Sequence, residues 1–503
     1  MSKEPDKSMH RCADHATRAR TPLAASGPFA TSRADLHSVV TPPYGTAARG
    51  SAPTCNPVRP LRLIRNATVI TLDDAVGEMP RADILIDGER IAAVGPDLTA
   101  AEAEIIDAAD MVALPGFIDT HRHMWQGVVR HVFPDATLAE YFNNVLRALG
   151  PRYRSEDVYI GNLVSALSAI DAGVTTILDW SHIQNSPQHT DAAIAALRDS
   201  GMRAVFAYGQ SRLAVEPRGK DRNHRYLDEV KRLRSRYFSS DDQLLTLAIA
   251  ASGPSFSPVE DAVLEWQAAR DNAARISVHL GLTPETRDRM HAMHRAGLLQ
   301  SDTTYIHCTN MSDEVWQIIA DTGGTVSLSA SVEMQMGHGS PAVQQALDHG
   351  IRPSLSVDVE TSAPNDLFTQ MRTVFAAQRA SVHERILAGG LRAPSTVTVR
   401  DMLDFAIVQG ARANGLGHRT GALTPGKQAD VILLRKDRVN VLPLRDAVGA
   451  VVLGMDTGNV DSVFVAGKAL KRDGKLVGVD LRAIAARAVA SQEYVLSGAA
   501  PLS

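Results

Sequence analysis

The strongest constraint on this 503-residue chain is an alternation of short apolar runs of strand texture with stretches of helical spacing. The runs are Val112–Asp119, Val174–Trp180, Met202–Tyr208, Leu245–Ala251, Arg275–Leu280, Thr304–His307, Thr325–Ser329 and Pro353–Asp358. Among the intervening segments, Thr190–Ser200 stops at Gly201, and Asp261–Ala274 is a second clear helix. Repeated strand–helix units predict a parallel sheet covered by helices. Eight of them over about 300 residues fit a closed (β/α)8 barrel better than an open doubly wound sheet. No glycine-rich phosphate loop follows any run. Most of the conspicuous polar residues stand at the C-terminal ends of the runs, where barrel enzymes keep their chemistry.

The first run leads into Leu114-Pro-Gly-Phe-Ile-Asp-Thr-His-Arg-His-Met124. Side chains alternate along a strand, so His121 and His123 share one face and Arg122 takes the other. Two imidazoles roughly 6–7 Å apart at a strand end can close on one divalent ion; the alternative is a pair of hydrogen-bonded histidines. Further candidates end later runs: His279 in Ile276-Ser-Val-His, His307 in Tyr305-Ile-His, and Asp358 in Leu355-Ser-Val-Asp.

Pro115-Gly-Phe-Ile-Asp-Thr-His-Arg-His resembles the opening motif of the amidohydrolase superfamily, in the branch of cytosine, guanine and triazine hydrolases. Leu423-Thr-Pro-Gly-Lys-Gln-Ala-Asp-Val-Ile-Leu is similar to its C-terminal motif. The resemblance implies a TIM barrel flanked by a small β-sandwich built from both terminal segments. Residues 1–60, rich in Ala, Ser, Thr, Pro and Arg with no lasting periodicity or secretory apolar core, read as a disordered arm without a signal peptide; the resemblance makes 61–113 the first half of the sandwich and 114–416 the barrel. Residues 417–476 form the second half and 477–503 a C-terminal helix and tail. The hairpin Ala82–Val94, turning at Asp87-Gly88, suits the first half.

The resemblance also implies roles. His121, His123, His279 and Asp358 would hold one divalent metal per chain, with His307 poised over the substrate. Three imidazoles and a carboxylate suit zinc, with iron, cobalt or nickel as alternatives. A divalent ion acidifies bound water; Asp358 would take its proton to the leaving nitrogen and His307 would orient the water or steady the oxyanion. Binuclear relatives carry a lysine or glutamate at the end of the fourth strand. Here it reads Leu245-Thr-Leu-Ala-Ile-Ala-Ala251, so one metal is expected.

One departure bears on the substrate. Deaminases of this branch carry His-x-x-Glu after the fifth strand, whereas this chain has His279-Leu-Gly-Leu282. An aliphatic side chain cannot protonate a ring nitrogen, so amides, ureas, carbamates and thiocarbamates are favoured. The chain looks closest in character to the phenylurea and molinate hydrolases. Glu333 and His338 fall in the loop after the seventh strand, and either is a candidate to restore the proton relay. His182, after the second strand, is a further substrate-side candidate. In relatives a glutamine at the position of Gln126 contacts substrate, and Trp125 would add an apolar wall. His131, Phe133 and Tyr141 nearby suggest an entrance suited to an apolar or aromatic substituent.

Composition excludes other classes. A net charge of −4 offers no electrostatic attraction for nucleic acid or an anionic membrane. No apolar run approaches a membrane span, and three scattered cysteines make neither a disulfide framework nor a thiolate zinc site. The expectation is a cytoplasmic homo-oligomeric hydrolase of a small molecule. Its rivals are a triazine- or nucleobase-type aminohydrolase releasing ammonia, and a catalytically retired oligomeric scaffold of the same fold.

Overall fold

A computed structural model of the protein describes residues 60–210, 220–281, 285–390 and 393–497. The expected N-terminal arm up to residue 59 and Leu282 lie outside them. Five strands come first: β1 (Leu61–Ile70), β2 (Glu78–Asp87), β3 (Arg90–Gly95), β4 (Glu104–Asp107) and β5 (Met111–Pro115). Eight follow: β6 (Phe117–Arg122), β7 (Val174–Ser181), β8 (Arg203–Gly209), β9 (Leu245–Ala251), β10 (Arg275–Leu280), β11 (Thr303–His307), β12 (Thr325–Leu328) and β13 (Ser354–Leu355). The last four are β14 (Val431–Arg435), β15 (Val460–Val465), β16 (Lys468–Arg472) and β17 (Lys475–Leu476).

Strands β6 to β13 pair in chain order as one parallel sheet, the barrel. Strands β1–β5 and β14–β17 form a second, nine-stranded sheet, joined where β5 runs antiparallel to β14. Both terminal segments contribute to its apolar core, with Ile64, Val69, Ile84 and Ile86 from one side and Val431, Leu433 and Phe464 from the other. The flanking β-structure is thus made from the two ends of the described chain. The hairpin is present, but Asp87 pairs with Arg90, so its two-residue turn is Gly88-Glu89 rather than Asp87-Gly88; Gly88 has the positive φ of 57° that such a turn needs.

The apolar run read as the first barrel strand is shared between the two sheets. Its first part is β5, and the chain crosses into the barrel at Gly116. A Cβ there would sit 2.1 Å from the Thr175 side chain, so only glycine permits the approach of β6 to β7.

The eighth strand is shorter than its apolar pattern suggests. Only Ser354 and Leu355 form a ladder, and closure against β6 rests on a single bridge between Arg122 and Asp358. Asp358 has φ = 71°, a left-handed backbone that breaks the pleat and turns its carboxylate over the barrel mouth. His307 is similarly placed at φ = 69°. Strain of this kind persists only where the surroundings enforce it, and it gathers at functional sites.

Inside the barrel, β7–β9 contribute Leu178, Trp180, Val205, Ala207, Ala248 and Ala250. The opposite wall carries a chain of buried hydroxyls, Ser354, Thr120, Ser327 and Ser356, spaced 3.0, 2.6 and 2.8 Å apart. Helices cover the outside; that of Pro187–Ser200 ends at Gly201, in a left-handed conformation with φ = 74°. No described helix is long and apolar enough to cross a membrane.

Asp179, on the face of β7 opposite Trp180, is wholly buried and accepts a 2.6 Å hydrogen bond from Asn162. Burial pushes its carboxyl up to about 7. The folded state therefore holds a proton that the unfolded state, at about 3.9, has lost. This contribution to stability is fully present below about pH 4 and is lost as pH rises through about 7. Asp179→Asn should abolish it. In thermal melts the variant should gain on the wild type as pH rises from 5 to 8; a pH-independent difference would mean that Asp179 is ionised throughout.

Candidate metal centre

Four groups converge at the C-terminal mouth of the barrel. His121 and His123 come from the end of β6, His279 from β10 and Asp358 from the segment after β13. One donor atom from each lies within 4.8 Å of all the others. Asp358 Oδ1 is 3.1 Å from His121 Nε2 and 3.3 Å from His123 Nε2. The His121 ring stands edge-on to both His123 and His279, with centroids 4.8 and 4.7 Å apart.

The electrostatics suit a divalent cation. Burial pulls the His121 imidazole down to about 4 and that of His279 well below its ordinary value, so both are neutral donors near pH 7. Burial alone would raise the Asp358 carboxyl, but its contacts with His121 and His123 outweigh that and hold it well below the usual carboxylate range. Its ion-pair partners among the described residues are histidines only. A buried carboxylate among imidazoles, with no lysine or arginine paired to it among the described residues, is a donor set that fits a divalent cation. The Nδ1–H of His123 donates to the Trp180 carbonyl at 3.0 Å, which leaves the Nε2 lone pair directed at the cluster.

His307 stands beside these donors, its Nε2 3.6 Å from Asp358 Oδ2. On its far side Nδ1 lies 3.1 Å from Glu333 Oε1, an oxygen that also accepts the Ser329 backbone N–H at 2.8 Å. Burial works against the charged form of His307, but the hydrogen bond to Glu333 and the charge of Asp358 outweigh it and raise its pKa. Glu333 is therefore misplaced by the loop reading. Residues Ala330–Gln335 form a short helix, and Glu333 is wholly buried behind His307 rather than facing a substrate. Glu333→Gln keeps an acceptor for Nδ1 but removes the charge; it should lower kcat about tenfold or more with little change in KM, as loss of an orienting partner does. A kcat within twofold of wild type would show that His307 needs no such anchor.

A cavity opens over the cluster. His123, His279, His307 and Asp358 form its floor, and His182 and His338 stand in its walls. Both ring nitrogens of His338 are buried without a partner among the described residues, and burial pulls its pKa down to about 3. The rest of the lining is apolar: Leu138, Tyr141, Phe142, Leu146, Trp180, Phe256, Met336 and Val359.

Trp125 and Gln126 do not line this cavity. Trp125 packs edge-on against His182 at 5.6 Å, and Gln126 donates to the Tyr141 hydroxyl at 2.6 Å, so each supports a lining residue from behind. Of the three residues read as an entrance, Tyr141 lines the cavity and His131 and Phe133 do not. Sequence reasoning missed Leu138, Phe142 and Leu146, although their spacing of four marks a helical stripe. It also missed Phe256, which carries no comparable signal.

A family model described as the amidohydrolase family matches residues 112–470 of this chain. The 5'-deoxyadenosine deaminase of Methanosarcina mazei is 25% identical over 445 residues, covering 86% of this chain and 98% of that protein. The 5-methylthioadenosine/S-adenosylhomocysteine deaminase of Caldicellulosiruptor saccharolyticus is 25% identical over 437 residues, 84% of this chain and 96% of that one. Among solved structures, the zinc complex of the atrazine chlorohydrolase TrzN of Arthrobacter aurescens superposes with a TM-score of 0.75 at 24% identity, over 86% of this chain and 99% of its own. A zinc-bound adenosine deaminase of Xanthomonas campestris gives 0.75 at 19% identity, over 88% and 100%. At these identities the two structures bear on the fold.

Proposed function

This chain belongs to the amidohydrolase family, hydrolases of carbon–nitrogen bonds, and on that premise we propose that it cleaves an amide, urea or carbamate-like bond in a compact, largely apolar molecule. The observation that carries the substrate class is the cavity, where eight apolar or aromatic residues surround a polar floor. His121, His123, His279 and Asp358 would hold one divalent ion, and three imidazoles with a carboxylate suit zinc. Such an ion polarises a carbonyl and acidifies water.

The chain's own residues do the rest. Asp358, with one oxygen toward the histidines and the other toward His307, accepts the proton of the attacking water. As the water oxygen bonds to the carbonyl carbon and the carbon–nitrogen bond breaks, Asp358 returns that proton to the leaving nitrogen. His307, braced by Glu333, presents Nε2 to the developing oxyanion. His338 offers the substrate a hydrogen bond from a wall that is otherwise nearly all apolar.

A second reading, deamination, is favoured by the names of the relatives. It needs an acid for the ring nitrogen. Glu333 is turned away behind His307, and His338, neutral near pH 7, carries no acidic proton. The test is product identity over a panel of anilides, phenylureas and carbamates set against aminotriazines and 5'-deoxyadenosine. Aniline or alkylamine release is expected; faster ammonia release from the ring compounds would replace this reading with the second.

A further inference from the structure

Arg122 lies between the two histidines of β6 and points away from them, yet its guanidinium is completely buried. Taking a fixed charge out of water is costly unless its donors are matched. Here the matching is close. Nε donates to Asp119 Oδ2 at 2.8 Å, Nη1 to Glu360 Oε1 at 3.0 Å and Nη2 to the Asn365 carbonyl at 3.0 Å. Glu360, equally buried, also accepts from Arg130 Nε at 2.7 Å and from the Ser165 hydroxyl.

These groups sit where regular sheet structure gives out. The two donor segments exchange backbone hydrogen bonds, Asp358 N–H to the His121 carbonyl and His123 N–H to the Asp358 carbonyl, each 2.9 Å. Asp119 Oδ1 accepts from the backbone N–H of His121 at 3.3 Å and of Val357 at 3.2 Å. One carboxylate therefore ties both segments, and Arg122 joins that carboxylate to Glu360, two residues beyond Asp358. A strand pair linked by one bridge, with Asp358 in a left-handed backbone, would otherwise be free to drift.

A second observation is independent of this network. Metal-binding imidazoles are usually aimed by a hydrogen bond to their other nitrogen. His123 has one, whereas Nδ1 of both His121 and His279 is buried with no partner among the described residues. For His121 the backbone ties to Asp358 and Asp119 supply a constraint in its place.

We propose that Arg122, with Asp119 and Glu360, is a positioning clamp that locks β6 to residues 357–365 and sets His121, His123 and Asp358 in place for a metal ion. The proposal rests on the reading of those residues as metal donors. The guanidinium of Arg122 hydrogen-bonds to Asp119, Glu360 and Asn365, none of which lines the cavity, so its replacement should act on metal affinity.

The test is the zinc dissociation constant of the full chain, measured by competition with a chromophoric chelator. Arg122→Lys keeps the charge but cannot reproduce a planar fork with three acceptors, and Glu360→Gln removes the opposing charge. Each should weaken zinc binding about 10- to 100-fold, the usual cost of losing an outer partner. The control is Arg203→Lys, at the equally buried Arg203–Asp430 pair (2.8 Å) at the opposite end of the strands. It should lower the melting temperature and leave zinc affinity within about twofold. Should Arg122→Lys not fold, a folded Glu360→Gln protein with wild-type affinity overturns the clamp by itself. So does an equal loss of affinity in Arg203→Lys, which would mark a general effect of instability. Absence of zinc binding in the wild type would instead sink the metal reading on which the clamp depends.

Discussion

Asp358→Asn is expected to lower kcat between about 100- and 10,000-fold, the range that a positioned general base contributes. The amide keeps the volume of the carboxylate, so the fold should survive. What it loses is the charge that faces His121 Nε2 at 3.1 Å and His123 Nε2 at 3.3 Å, and the lone pairs that would take a proton beside His307. Metal affinity should fall as well. The decisive measurement is therefore kcat at full metal occupancy, with metal content determined on the same sample. A deficit that persists when occupancy is restored belongs to proton transfer. Wild-type turnover under those conditions would remove Asp358 from that role and leave it a ligand only.

His279→Ala is expected to reduce metal content from about one ion per chain toward zero, and activity to background with it. Its imidazole is neutral because burial pulls its pKa well down, and it completes a donor set whose atoms lie within 4.8 Å of one another. With one of the four donors gone, the remaining three should hold the ion much more weakly. His338→Ala is the informative partner. Its ring lies in the same cavity, 4.8 Å from that of His307, but outside the donor set. It should retain the ion and show its defect in KM. Two ions in the wild type would mean a second set of ligands; none, even after reconstitution, would turn attention to a non-catalytic scaffold.

The convergence of these residues was legible for a physical reason. His121, His123, His279, His307 and Asp358 each end an apolar run, and in a parallel barrel every strand end of that kind faces the same mouth. Five positions spread over a sequence separation of 237 residues thus meet at one mouth. The cavity wall was less legible. Leu138, Phe142 and Leu146 reveal a stripe but not which neighbour it covers, and Phe256 follows a strand that carries no polar signal.

Glu333 shows where such reasoning fails. Its place after the seventh strand puts it on the catalytic side, but whether it faces the cavity or the back of His307 depends on the short helix Ala330–Gln335 and on one hydrogen bond. Arg122 is the converse. Alternation turns it away from the site, and only the folded chain brings Glu360 to meet it. Strand periodicity and strand ends are local properties of the chain, so the (β/α)8 barrel and the polar residues at its strand ends could be read from the sequence, while the pairing of the two terminal segments was implied by the resemblance to a family. Which polar groups face the cavity, which brace them and how Asp358 is held against β6 emerge with the folded chain, because those depend on contacts between residues whose separation in sequence leaves no periodic trace.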